Sequence, residues 1–204
     1  MELFETMRLE QGHILREAYH RNRIQQACTD LNFEFNEAAW SKCIHRFQEK
    51  FQVGTYRVKL IVDDKGGIHE AYAPLPDTTV MSARLKKVAP STPMWQRIYK
   101  TTERDYLKHT HETQLILLYN DNEKILEFDI GNVVVEYEGL YYTPPFENDF
   151  LRGCMRQSLL DEGQITTKLL NIHSLKQFLH QGGKLWMINS LRGWVPVQLS
   201  DIRR

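Results

Sequence analysis

The sequence has no excess of either charge. Lys and Arg total 26, as do Asp and Glu, and the formal net charge is zero. Such a chain has no global basic field to attract nucleic acid or an anionic membrane surface, although a local anion site stays open to it. Cysteine is scarce: Cys28, Cys43 and Cys154 are odd in number and form no CxxC pair. That argues against a disulfide framework, and Cys28 and Cys43 sit on apolar helical faces, as buried free thiols in a reducing compartment do. No run approaches the roughly 18 apolar residues of a membrane-spanning helix. The first residues carry Glu2, Glu5, Arg8, Glu10, Arg16 and Glu17 with no apolar stretch, so no export signal is expected and a cytoplasmic protein is. The eight histidines show no HxxxH spacing, and P-loop, GxGxxG and GxSxG motifs are all missing. There is neither an internal repeat nor a low-complexity tract.

The 204 residues, 42% of them hydrophobic, are enough for one large domain or two small ones. Leu3 to Leu9 reads as a strand, with Gln11-Gly12 turning it into a second at His13 to Leu15. Ile24, Ala27, Cys28 and Leu31 fall at helical spacing within Tyr19 to Leu31. A second helix is expected after Asn36 as N-cap, with Trp40, Cys43, Ile44, Phe47 and Phe51 as its apolar stripe and Gly54 as its end. Tyr56 to Val62 alternates as a strand, Asp64-Lys65-Gly66-Gly67 is a turn, and Ile68 to Tyr72 returns. Prolines cluster at Pro74, Pro76, Pro90 and Pro93, and helix and sheet signals fade between Pro90 and Gln96, where a domain boundary is expected. Beyond it come strands at Gln114 to Tyr119, Ile130 to Tyr137 and Leu140 to Thr143, and a helix from about Cys154 to Glu162. A short helix capped by Ser174 follows, with last strands at Leu185 to Ile188 and Trp194 to Leu199. The pattern is α+β: residues 1–92 form a small αβ lobe and residues 93–204 a β-rich lobe.

Individual residues say less. Lys100, in Tyr99-Lys100-Thr101-Thr102-Glu103-Arg104, could form a Schiff base with an aldehyde cofactor if partly desolvated. Most lysines are instead solvated surface charges. Glu127 precedes an apolar strand, where an acid ordinarily blunts a sheet edge. Gly153 stands just before a helix, so the N–H groups of Gly153, Cys154 and Met155 would face an anion there, and Ser190 could add its hydroxyl. His20 and Arg23, three apart, share one face of the first helix; Arg23 could grip a phosphate bidentately or simply be solvated.

It is the order of these segments that is specific. Leu3-Phe4-Glu5-Thr6-Met7-Arg8, His20-Arg21-Asn22-Arg23-Ile24, Lys100 to Arg104, Glu127 to Asn132, Tyr141 to Pro145, Gly153-Cys154-Met155-Arg156 and Asn189-Ser190 follow one another as in the class IV aminotransferases. The chain resembles that family, the fold-type IV pyridoxal phosphate enzymes, over nearly its whole length. The resemblance implies a two-lobed fold, with a small αβ N-terminal lobe and a β-barrel-like C-terminal lobe, pyridoxal 5′-phosphate between the lobes, and a homodimer. It makes Lys100 the catalytic Schiff-base lysine and proton carrier. Glu127 becomes the partner of the pyridine nitrogen, and Arg23, Cys154, Met155 and Ser190 the holders of the phosphate. Members usually carry one more strand before the Leu3-Phe4-Glu5-Thr6 segment, so part of the substrate pocket or dimer edge is expected to be missing.

Two reactions compete within the resemblance. One is lyase chemistry on 4-amino-4-deoxychorismate, giving 4-aminobenzoate and pyruvate in the folate pathway. The other is transamination of a D- or branched-chain amino acid. Asn189-Ser190-Leu191-Arg192-Gly193 with Pro196-Val197 looks like the lyase ending, and Arg8, Arg57 and Arg192 are candidates for the carboxylates of a small amino substrate. A third reading is a pyridoxal phosphate-binding homologue without turnover.

Overall fold

Alternation and helical spacing lay out the first third of the chain. The computed structural model describes residues 1–200. It begins with strands β1 (Leu3–Glu10) and β2 (His13–Ile14), helices α1 (Glu17–Asp30) and α2 (Glu37–Lys50), and strands β3 (Thr55–Val62) and β4 (Ile68–Pro74). Asn36 caps α2 as expected, its side chain accepting from Ala39 N at 2.9 Å. The helix ends at Lys50, with Phe51 at its C-cap, rather than at Gly54. Strands β2-β1-β3-β4 form an antiparallel sheet in that order. Leu3, Met7 and Leu9 of β1 and Val58, Leu60 and Val62 of β3 share a core with Ile24, Trp40, Ile44 and Phe47 of the helices. One sheet face is therefore covered by α1 and α2.

The remainder holds β5 (Met81–Lys87), α3 (Met94–Ile98), β6 (Leu115–Tyr119), β7 (Ile125–Phe128), β8 (Gly131–Tyr137) and β9 (Leu140–Thr143). After these come α4 (Cys154–Asp161), β10 (Thr166–Thr167), α5 (Ile172–His180), β11 (Lys184–Asn189) and β12 (Gly193–Leu199). The strand order is β10-β9-β8-β11-β12-β5-β6-β7, and β7 pairs again with β8. That second pairing closes six strands, β7-β8-β11-β12-β5-β6, into a barrel. Its core holds Leu117, Phe128, Val133, Val135, Leu185, Met187 and Val195, with Leu175 of α5 against them. Helix α4 packs elsewhere, with Met155 and Leu159 against Val134 and Ile188. Alternation along the strands thus turns one set of apolar side chains into the barrel and another, Val134 and Ile188 among them, outward to α4.

Further elements depart from expectation. Met81–Lys87, where no element is expected, is a barrel strand, and Met94–Ile98 is a short helix that starts within the stretch where signals fade. The N-cap of α5 is Asn171, not Ser174. Asn171 Oδ1 accepts from Ser174 N at 2.7 Å while Ser174 Oγ accepts from Asn171 N at 3.0 Å, so the serine is the far half of a capping box. The β8–β9 turn at Glu138-Gly139 is as expected, with both residues at positive φ, the conformation a two-residue hairpin of the right twist requires. By contact density the chain divides into Met1–Asp77 with Tyr99–Glu103, and Thr78–Ile98 with the chain from Arg104 onward. The cysteines are free and buried, and burial pushes the Cys28 thiol up to about 11. Among the described residues no helix is long and apolar enough to cross a membrane.

Candidate active site

In the smaller unit, β1 sets two faces. Leu3, Glu5, Met7 and Leu9 are buried on the helical side, so Phe4, Thr6, Arg8 and Glu10 project to the other. Residues Tyr99–Glu103 run antiparallel beside β1: Phe4 N donates to Lys100 O at 3.0 Å and Thr102 N to Glu2 O at 2.9 Å, with Leu3 opposite Thr101. Lys100 thus lies beside Phe4, and its ammonium stands 5.1 Å from the Phe4 ring centre. Lys59 of β3 places its ammonium 4.3 Å from the same ring. Arg8 and Arg57 are directly opposite one another in the β1–β3 register. Like charges so placed repel unless an anion serves them. Glu10 does so for Arg8, accepting from Nε at 3.0 Å and Nη2 at 3.2 Å. Lys100 and Lys59 thus flank Phe4, and Arg57 lies on the same face of β3 as Lys59, opposite Arg8. Sequence reasoning missed Lys59, although its alternation with Arg57 along β3 marks it as sharing that face.

Arg23 stands on the helical side. Glu5 accepts from its Nε at 2.7 Å and its Nη2 at 2.6 Å, and meets His20 Nδ1 at 2.7 Å. Burial alone would raise the pKa of Glu5, but the charges and hydrogen bonds of Arg23 and His20 outweigh it and hold the carboxyl far below the ordinary range. Because the native value lies below the unfolded one, this pairing contributes its full stability above the ordinary carboxylate value of 4.5 and loses it as acid protonates Glu5. Urea unfolding should show Glu5→Gln less stable than wild type at pH 7 by roughly 1–3 kcal/mol, with the gap narrowing below about pH 4. A gap independent of pH would contradict the assignment.

In the larger unit Glu127 lies inside β7, fully buried, rather than ahead of a strand. Arg104 Nη2 donates to its Oε1 at 3.0 Å. The Tyr106 hydroxyl is 3.5 Å from the same oxygen, and burial with the nearby carboxylate pushes that phenol's pKa upward. Two residues on, Asp129 accepts from Ile116 N at 3.2 Å and meets His109 Nε2 at 3.3 Å. Glu127 faces Asn132 across the β7–β8 pair. Asn132 in turn holds the start of α4: its Nδ2 donates to Leu151 O at 2.8 Å and its Oδ1 accepts from Gly153 N at 2.9 Å. A side chain at Gly153 would collide with that oxygen. Gly153 N–H is thus committed to Asn132, which removes it from the expected anion donors and leaves Cys154 and Met155 in the first turn of α4. Met155 packs with Ile188 of β11, the strand after which Ser190 follows. Ser190 Oγ is buried with no hydrogen-bond partner among the described residues. Arg192 lies in the same turn, its backbone N–H donating to Asn189 Oδ1 at 2.7 Å. An orphaned hydroxyl together with a helix N-terminus is a donor set that fits a phosphate.

The Amino-transferase class IV family profile matches residues 2–199. The chain belongs to that family. Class IV aminotransferases and their lyase relatives are pyridoxal phosphate-dependent enzymes, and so is this chain. Among solved structures it is similar to a Mesorhizobium loti protein assigned as an amino-acid aminotransferase. The TM-score is 0.85 and the identity 26%, over 97% of this chain and 99% of that one. A Haemophilus somnus protein assigned as a 4-amino-4-deoxychorismate lyase gives TM-score 0.78 and 19% identity, over 94% and 97%. A hypothetical aminotransferase from Mycobacterium tuberculosis in its PLP-bound form gives 0.79 and 17%, over 98% and 81%. No curated protein matches the sequence significantly. The α+β class read from the pattern and the barrel-like second lobe implied by the resemblance agree with the class IV fold.

Proposed function

We propose that this class IV enzyme is a lyase acting on 4-amino-4-deoxychorismate, releasing 4-aminobenzoate and pyruvate. The observation that carries this reading is the cationic face of the small sheet. Arg8 and Arg57 stand opposite one another, with Lys59 and Lys100 at one aromatic ring. A branched-chain amino acid offers one carboxylate and an apolar side chain, whereas Arg57 and Lys59 remain for the substrate once Arg8 is set against Glu10 and Lys100 against the cofactor. A substrate with two carboxylates suits them. The Asn189-to-Gly193 turn, with Arg192, adds the lyase-like ending.

Pyridoxal phosphate, when bound, supplies the electron sink. In this proposal Lys100 would hold the cofactor, and its amine would take a ring proton from the substrate and return it to the departing enolpyruvyl group. Glu127, held by Arg104, would keep the pyridine nitrogen protonated. Arg23, Ser190 and the backbone of Cys154 and Met155 would be the holders of the phosphate. The same proposal makes the enzyme a cytoplasmic homodimer of the folate pathway, which the free buried thiols suit.

The 26% identity to the Mesorhizobium loti protein favours a second reading, transamination. Incubation with 4-amino-4-deoxychorismate separates the two. Pyruvate released without any keto-acid acceptor supports the lyase; turnover that requires a keto acid overturns it.

A further inference from the structure

Glu5 is placed where the strand pattern calls for an apolar residue. It occupies the buried row Leu3, Glu5, Met7, Leu9 and is itself 1% exposed. A buried carboxylate is costly, and a buried ion pair returns little net stability against an apolar residue of similar size. Stability therefore does not account for an acid there, whereas geometry does. Glu5 takes Arg23 side-on, at Nε and Nη2, which fixes the guanidinium plane and turns the Nη1 edge away from the carboxylate. The same carboxylate fixes His20, one helical turn before Arg23, at 2.7 Å. Arginine has several rotatable bonds, and a guanidinium locked in advance loses less entropy on gripping an anion.

We infer that Glu5 is a positioning residue for cofactor binding: it presents Arg23 to the phosphate, so that discrimination between phosphorylated and unphosphorylated cofactor depends on it. The inference rests on the reading of Arg23 as a phosphate holder. A purely structural role would weaken the binding of any cofactor form alike.

The test measures equilibrium binding of pyridoxal phosphate and of pyridoxal to the full chain stripped of cofactor. Wild type prefers the phosphorylated form. Arg23→Ala loses that preference. Glu5→Gln, which keeps the side chain's shape without its charge, weakens pyridoxal phosphate by about tenfold or more and leaves pyridoxal within about twofold. If Glu5→Gln keeps the wild-type preference while Arg23→Ala loses it, the positioning role falls and the Arg23 reading stands. If Arg23→Ala keeps the preference, both fall. Should Glu5→Gln fail to fold, Glu5→Asp takes its place, since it retains the charge but withdraws the fork. A reduced preference in that variant supports the inference and an unchanged one overturns it.

Discussion

Lys100→Ala should lower turnover by about 100- to 10 000-fold, the range expected when a positioned proton carrier is removed, and should abolish covalent attachment of the cofactor. The fold should survive. The pairing with β1 uses the Lys100 carbonyl, which accepts from Phe4 N at 3.0 Å whatever side chain the residue carries. The ammonium's contact with the Phe4 ring, at 5.1 Å, is worth about 0.5–1 kcal/mol at a half-exposed position. Lys59, at 4.3 Å from that ring, is the natural control: Lys59→Ala should keep the covalent attachment and weaken substrate binding instead. Steady-state kinetics on both variants, with thermal unfolding of each, separate the outcomes. Attachment lost in Lys59→Ala and kept in Lys100→Ala would reverse the assignment.

Glu127→Ala should destabilise the protein by about 3–5 kcal/mol, the cost of removing one partner from a buried ion pair. The Arg104 and Glu127 side chains are 10% and 4% exposed, so water cannot take over for the stranded guanidinium. The double variant Glu127→Ala with Arg104→Met should recover most of that loss, because removing both charges together leaves neither unpaired. It should not recover activity, since the proposed role of Glu127 is to hold a proton on the pyridine nitrogen. Urea unfolding of the single and double variants checks the first part and turnover checks the second. Equal stability of the single variant and wild type would show that Arg104 does not depend on Glu127.

Much of the small unit was legible because its physics is local. The alternation of β1 and β3 and the stripes of α1 and α2 give faces directly, and Asn36 caps the helix where a capping residue is expected. The barrel was less so. β5 alternates Met81, Ala83 and Leu85 with Ser82, Arg84 and Lys86, a period of two that went unread among the prolines on either side, and its partners β6 and β12 are far off in sequence, so nothing local shows what it pairs with. β7 is four residues long, too short for a period to emerge. The helix-cap serine was misread because Ser174 and Asn171 are both capping residues, and only the reciprocal bonds say which is first.

The candidate residues follow the same division. Gly153 before α4 was readable, but its bond to Asn132 was not, because it joins residues 21 apart. Glu5 left a signal that could have been used: an acid on the apolar side of an alternating strand, with a histidine and an arginine sharing one helical face downstream. Lys59 likewise shares the face of Arg57. In both cases the strand's period of two, applied to charged as well as apolar positions, would have found the residue.

The central claim is that Lys100 is the residue that carries the cofactor. Borohydride reduction of the protein saturated with pyridoxal phosphate, followed by peptide mass mapping, addresses it without reference to any substrate. A single pyridoxyl group on the peptide containing Lys100 is the predicted result. A label on Lys59 or another lysine, or no label at all, would contradict it.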